Sequence, residues 1–296
     1  MIDFVITSFR EPKTIGKAIE SLLNQNIDET FQITVSAPDE ETLNVAREYS
    51  KKDKRVKTFK DPGKGKMEAL HLLFRELKGE LLVLTDGDVF VKENSIKYLL
   101  EPFKDPKVGV TTGRPVSTDS RKKMLGYWSH LLCDAGAHMA RLKRAKKGDL
   151  IECSGYLWAF RNNIVKEFPK DVPEDAAVPL LFYEKGYKIA YTPKAVVYVS
   201  YPKNFRDFID QKKRTTKAHV QMSNYFNFKK VKKTKSFKNE ILESRRALLY
   251  PETPREIIWT LGLFPAKLYV WLLVYYHVKI AKKYHKDGWR ATVSTK

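Results

Sequence analysis

The sequence predicts an α/β domain built on a mainly parallel, doubly wound sheet with flanking helices, followed by a basic helical region. Three observations predict it. Short apolar runs alternate with helically spaced segments, the runs at residues 2–8 and 81–85 are of the kind seen in buried parallel strands, and the composition changes beyond Pro202. At 296 residues the chain can bury a core without disulfide support.

Taken in order, residues 2–8 read as a buried strand, and residues 13–25 as a helix carrying Ile15, Ala18, Ile19, Leu22 and Leu23 on one face. Residues 31–36 form a second strand, 42–50 a helix and 56–59 a brief strand. Residues 67–77 are helical, with Leu70, Leu73, Phe74 and Leu77 aligned. Residues 81–85 form a strand that ends directly in Asp86-Gly87-Asp88. Ligands of such sheets sit beyond the carboxyl ends of the strands, so Asp86 stands where a ligand is expected. Further strands over 107–116, 155–160 and 188–199 extend the sheet to about residue 200.

A formal charge of +20 points to a polyanionic partner: nucleic acid, anionic lipid or a phosphorylated substrate. The excess lies mainly in the last third, with a one-sign cluster at Lys229-Lys230, Lys232-Lys233, Lys235 and Lys238. Only Cys133 and Cys153 are present, and no secretory apolar segment opens the chain. The expectation is a reducing cytosol and two small buried thiols.

Residues 205–222 read as a basic helix, and the apolar stretch 257–280 is long enough to span a bilayer. Pro265 and Lys267 interrupt it, and Lys279, Lys282, Lys283 and Lys286 follow it. A single span would carry that basic tail across the membrane from the basic region that precedes it, against the positive-inside tendency. The expectation is a helical pair or broken helix lying in the interface, with Trp259, Tyr269, Trp271, Tyr275 and Tyr276 at headgroup level. A soluble core helix is the alternative reading.

Two acidic motifs carry the chemistry. A diphosphate leaving group needs a counter-charge, which a hard divalent cation held by one or two carboxylates supplies. Asp88 is the expected direct ligand, with Asp86 reaching the metal through water or the ribose hydroxyls, although Asp-Gly-Asp also suits an ordinary turn. Glu174-Asp175 follows downstream. An acceptor hydroxyl attacking an anomeric carbon must lose its proton, and Asp175 fits that base, with Glu174 beside it. Acids complementing a helix N-terminus are the bland alternative. In Gln211-Lys212-Lys213-Arg214-Thr215, Arg214 suits a bidentate clamp on diphosphate oxygens, or a solvated basic face. Tyr156 and Trp158 offer a stacking platform for an acceptor sugar, or strand aromatics of a core.

In sequence order these elements resemble glycosyltransferase family 2, the inverting family that includes cellulose, hyaluronan and chitin-oligosaccharide synthases, over about residues 1–220. The segment Ile6-Thr7-Ser8-Phe9-Arg10-Glu11 stands for the family's P-x-Y/F-N-E, Gly65-Lys66-Met67-Glu68-Ala69-Leu70 for G-K-x-x-A-L, and Asp86-Gly87-Asp88 for D-x-D. Gly155 through Phe160-Arg161 matches the G-x-x-x-x-F-R segment beside the acceptor, Glu174-Asp175 the E-D pair, and Gln211 through Arg214 the Q-x-x-R motif. Two departures stand out. Ala37 replaces the first Asp of the family's D-D-G-S, leaving Asp39 displaced, and Thr215 replaces the aromatic of Q-x-x-R-W. Addition of one or a few sugars, rather than polymer synthesis, follows from the second.

The resemblance implies a GT-A fold, Rossmann-like, with a catalytic domain over 1–204 divided into a nucleotide-sugar half (1–116) and an acceptor half (117–204). Residues 205–296 form a C-terminal region with interfacial or membrane-embedded helices. It implies donor contacts from Thr7, Phe9, Glu11, Asp39, Lys66, Asp86, Gln211 and Arg214, and Mg²⁺ or Mn²⁺ at Asp88 and Asp86. Asp175, Glu174 and Arg214 would serve catalysis, and Gly155, Tyr156 and Trp158 the acceptor. The implied donor is a UDP-sugar and the acceptor lipid-linked or a membrane-proximal glycan. The enzyme would sit on the cytoplasmic face of the cell membrane, against anionic lipid and without nucleic acid. The alternatives are a polyprenyl-phosphate glycosyltransferase, against which the Q-x-x-R helix counts, and a nucleic-acid-binding protein with Tyr225, Phe226 and Phe228 among lysines.

Overall fold

The structure is a computed structural model and describes residues 1–228, 231, 234 and 236–289. The lysine cluster at 229–235 lies outside the described residues, as does the side chain of Lys238.

The first half alternates as the apolar spacing predicts: β1 (Ile2–Thr7), α1 (Ile15–Leu23), β2 (Phe31–Ala37), α2 (Glu40–Lys52), β3 (Val56–Lys60), α3 (Lys66–Glu76) and β4 (Leu81–Asp86). A short β5 (Phe90–Val91), α4 (Ser95–Leu100) and the long β6 (Val108–Ser117) follow. Then come α5 (Met124–Leu131), a π-helical stretch over Leu132–His138, α6 (Met139–Lys147), β7 (Leu157–Arg161), α7 (Glu174–Glu184) and β8 (Lys188–Val199). The C-terminal region holds α8 (Phe205–Tyr225), α9 (Phe237–Leu248) and α10 (Pro254–Tyr275).

Eight strands form one sheet in the order β3-β2-β1-β4-β7-β6-β8-β5. The β3-β2-β1-β4 half is wholly parallel, whereas β7 runs antiparallel to both β4 and β6, and β5 antiparallel to β8. Residues 155 and 156, expected in a strand, precede β7 in a turn. The sheet has a core on each face. One gathers Val5, Leu82 and Leu84 with α3 and α7, and the other Phe4, Ile6 and Val83 with α1 and α4. Burial on both faces explains why the central strands β1 and β4 are mostly apolar, whereas β2 alternates with small polar residues and the edge strand β3 carries Lys57 and Lys60.

A third cluster joins α5 (Tyr127, Trp128, Leu131), α8 (Phe208, Ile209) and α10 (Leu263, Ala266, Val270, Val274). The Tyr127 hydroxyl lies 2.6 Å from Thr260 Oγ1, and Trp128 Nε1 donates to the Trp259 carbonyl at 2.7 Å. The expected break at Pro265 does not occur. α10 is one unbroken helix, and Pro265 sits within it on an exposed surface. Packing along the opposite face outweighs the single backbone hydrogen bond that proline removes. Thr253 caps its N-terminus by accepting from the Glu256 amide.

Candidate active site

The parallel half of the sheet brings four strand ends to one edge, and the strand order reverses between β1 and β4. In register, Thr7 at the end of β1 lies beside Ser36 of β2 and Asp86 of β4, while Ala37 lies beside Lys60 of β3. Thr7 Oγ1 donates to Asp86 Oδ1 at 2.9 Å. The turn after Asp86 passes close to the β1 loop. The Gly87 amide donates to the Thr7 carbonyl, and a Cβ on Gly87 would stand 2.3 Å from Ser8 Oγ and 2.7 Å from Glu11 Oε2. Only glycine fits there. Ser8 Oγ in turn donates to Glu11 Oε2 at 2.7 Å, so Glu11 is held over the acidic turn.

Lys66, the first residue of α3, joins the two acidic motifs. Its Nζ lies 2.7 Å from Asp86 Oδ1 and 2.8 Å from Glu174 Oε1. Burial alone would lower the ammonium's pKa, but the Asp86 and Glu174 carboxylates outweigh it and hold it raised, so the lysine stays charged. Lys66 therefore holds the two acids together, with its side chain still 22% exposed. Glu174 is buried, at 5% exposure, and is occupied by Lys66, while Asp175 is half-buried. The two neighbours thus differ in surroundings, Glu174 being paired with Lys66 at the start of α7 and Asp175 more exposed beside it.

Asp175 Oδ2 accepts from the Gly155 amide at 3.0 Å, and its backbone carbonyl accepts from the Cys153 amide. A Cβ on Gly155 would come within 3.1 Å of that carboxylate. Burial first, then the Glu174 charge, push the Asp175 carboxyl up to about 7. Gly155 thus positions the candidate base. Tyr156, half-buried in the adjoining turn, has its hydroxyl raised above the ordinary range by burial and by Asp88 and Asp86.

One expectation is corrected. Trp158 is wholly buried, its ring stacked 5.1 Å from Phe160, so it belongs to the core and offers no sugar platform. Asp39 has a place in the fold as well as at the strand-end edge. Its Oδ1 accepts from the Thr42 amide and hydroxyl as the α2 cap, and its Oδ2 accepts from the Arg10 amide at 2.8 Å. Burial raises its pKa, but those hydrogen bonds outweigh burial and hold the carboxyl below its usual range. Asp39 thereby fixes the loop that carries Phe9.

On α8, Thr215 Oγ1 bonds back to the Gln211 carbonyl, and Arg214 is half-buried on the helix stripe that also carries Gln211, Ala218 and Gln221. His219 Nε2 lies 3.3 Å from Glu152, beside the Cys153-Ser154-Gly155 turn. Sequence reasoning missed His219 and Glu152, and it missed Asp61, buried just past β3. An Asp-Pro-Gly turn directly after a parallel strand was the available signal for Asp61.

Among the described residues no cluster of three or more His, Cys, Asp or Glu forms a self-sufficient metal cage. Asp86 and Asp88, both half-buried one residue apart at a strand end, nevertheless suit a hard cation that takes its remaining ligands from phosphate oxygens and water.

A parallel α/β half-sheet whose strand ends converge on two acidic motifs is the architecture of the GT-A glycosyltransferases. The sequence profile described as "Glycosyltransferase like family 2" matches residues 2–218, and the chain belongs to that family. It is 22% identical over 240 residues to an N-acetylglucosaminyltransferase of Bradyrhizobium diazoefficiens, covering 73% of this chain and 48% of that protein. It is 22% identical over 242 residues to a Poly-beta-1,6-N-acetyl-D-glucosamine synthase of Staphylococcus epidermidis, covering 78% and 58%. The chain thus spans about half the length of these curated relatives. A mannosyltransferase from Pyrobaculum calidifontis, solved in complex with GDP-Man and Mn²⁺, shares the fold with a TM-score of 0.60 at 17% identity, over 95% of this chain and 80% of that one.

Proposed function

We propose that the chain is an inverting glycosyltransferase that moves a sugar from a nucleoside-diphosphate sugar, a UDP-sugar first, to a lipid-linked or membrane-proximal glycan. The observation that carries this reading is the Lys66 bridge, which holds the Asp86-Gly87-Asp88 turn and the Glu174-Asp175 pair against one crevice. In this reading Asp88, with Asp86 behind it, holds Mg²⁺ or Mn²⁺. When bound, the cation neutralises charge on the departing diphosphate. Arg214 adds a second cation for the diphosphate.

Asp175 receives the proton of the acceptor hydroxyl. The acceptor oxygen then bonds to the anomeric carbon as the carbon–oxygen bond to the diphosphate breaks, its electron pair leaving on the phosphate. A carboxyl pushed up to about 7 suits this work, because a base is most effective with a pKa near the operating pH. Gly155 holds its Oδ2, which leaves Oδ1 to face the acceptor. The 1–204 part acts as catalytic domain in this reading, and 205–296 attaches it to the membrane.

Attachment is supported by α10. The Pro254–Ile280 segment is long and apolar enough to cross a bilayer, yet one of its faces is packed on α5 and α8. Its other face exposes Ile258, Leu261, Leu268, Leu272 and Tyr275. A helix so docked lies along the interface, with the apolar face in the acyl boundary. Trp259 packs against Tyr127 and Trp271 Nε1 donates to Glu240, while Tyr269, Tyr275 and Tyr276 stand exposed. We place the enzyme on the cytoplasmic face of the membrane. The test is a Mn²⁺-dependent donor-hydrolysis screen over UDP- and GDP-sugars. Turnover of a UDP-sugar supports the reading in full, turnover of a GDP-sugar alone corrects the base, and turnover of neither by folded protein overturns it.

A further inference from the structure

The last described residues return to the catalytic edge from the far end of α10. Gln221 of α8 clamps His285, donating from Nε2 to its carbonyl at 3.2 Å and accepting from its amide. Asp287 Oδ2 then accepts from the Met67 and Glu68 amides at 3.0 and 3.2 Å, at the N-terminus of α3 next to Lys66. Trp289 lies over Phe9, ring centroids 5.7 Å apart and planes 27° from parallel, and its Nε1 donates to Asp61 Oδ1 at 3.1 Å. Asp61 is buried, at 2% exposure, and its carboxylate also accepts from the Gly63 amide.

These contacts have the chemistry of a nucleoside diphosphate. A flat ring stacks on an aromatic side chain and presents a ring N–H to a buried carboxylate. Two residues back, about 7 Å along an extended chain, an anion meets backbone amides at a helix N-terminus. Gly65 admits that anion. Its φ is +133°, and a Cβ there would fall 2.4 Å from the Asp287 carboxylate. The arrangement also excludes the ligand it imitates. A base between Phe9 and Trp289 needs two stacking gaps of about 3.5 Å each, more than the 5.7 Å present. Burial raises the Asp287 carboxyl above its ordinary range, against the Gly288, Glu68 and Met67 amides that lower it, and the neighbouring Glu174 adds to the rise.

We propose that residues 281–289 are an autoinhibitory strap that occupies the nucleoside-diphosphate position, with Trp289 in place of the base and Asp287 in place of a phosphate. The strap must leave before donor binds, and Asp61 then reads the ring N–H of uracil or guanine. This rests on the donor site proposed above.

The test uses the full chain carrying Trp289→Ala and Asp287→Ala together, titrated calorimetrically with UDP, GDP and CDP in Mn²⁺, with circular dichroism as the fold control. Removing the competitor should tighten UDP or GDP binding about tenfold, because a site free only part of the time binds in proportion to that fraction. CDP, which lacks the ring N–H, should bind less well. In wild-type protein the nucleotide that binds should hasten tryptic cleavage after Lys282, Lys283 and Lys286, all exposed in the strap. Equal affinity of variant and wild type overturns the strap, as does weaker binding by the variant or protection from trypsin, either of which would make Trp289 part of the donor site. If neither form binds UDP or GDP while both are folded, the donor-site reading itself fails and the strap fails with it.

Discussion

Lys66 Nζ stands between Asp86 Oδ1 at 2.7 Å and Glu174 Oε1 at 2.8 Å, and through it two carboxylates almost ninety positions apart share one cation. Removing that cation should leave Glu174 buried and uncompensated. Lys66→Met should therefore cost about 3 kcal/mol, the low end for breaking a buried pair because Lys66 keeps some solvent access. Adding Glu174→Gln should restore much of the melting temperature without restoring turnover. A double variant no more stable than Lys66→Met would show that the bridge does not organise the site.

Asp175 should set the acid limb of activity. Its carboxyl is pushed up to about 7 by burial first and by Glu174 next, and only its ionised form accepts a proton. Turnover should rise with pH through about 7 and then level. The linked stability runs the other way. A raised folded pKa favours the protonated form, so this group's contribution is full below its ordinary value of 3.8 and is lost as pH rises through about 7. Glu174→Gln removes the like charge and frees Lys66 to act on Asp175, and both effects should move the limb to lower pH. Asp175→Asn should lower turnover roughly 10²-fold or more with donor affinity nearly intact. A pH–rate profile unmoved by Glu174→Gln, or wild-type turnover of Asp175→Asn, would assign the base elsewhere.

Asp88→Asn should abolish Mn²⁺-dependent binding of a nucleoside diphosphate, because an amide is a poor ligand for a hard cation facing phosphate. Titration calorimetry with and without Mn²⁺ reads this directly. Metal-dependent affinity that survives in a folded variant would remove Asp88 from the metal site.

The exposed face of α10 should hold the protein on anionic vesicles together with the exposed Lys279, Lys282, Lys283 and Lys286 that follow it, each basic side chain worth about 1 kcal/mol near such a surface. Leu261→Glu with Leu268→Glu and Leu272→Glu should release the protein in a flotation assay, since all three side chains are exposed and the packed face is untouched. High salt should weaken wild-type flotation only in part. Undiminished flotation of the triple variant would rule out this face as the anchor.

The parallel half of the fold was legible because short apolar-rich strands such as β1 and β4 alternate with helices that keep their period, patterns that burial imposes locally. The Asp86-Gly87-Asp88 and Glu174-Asp175 motifs were legible for a similar reason, since acids at strand and helix ends stand out against apolar neighbours. What those acids do was not legible. That Lys66 pairs with Glu174, that Gly155 holds Asp175, and that Asp39 accepts from the Arg10 amide all depend on distances between segments apart in the chain. Trp158 looked like a sugar platform because periodicity cannot tell which side of a strand is covered, and the core claimed it. Pro265 looked like a break because local rules count the lost backbone hydrogen bond, whereas packing on α5 and α8 carries α10 through it. The strap lay furthest from reach. Trp289 meets Phe9 and Asp61 across more than two hundred residues, and no local pattern encodes a contact that forms only once the whole sheet and α10 are in place.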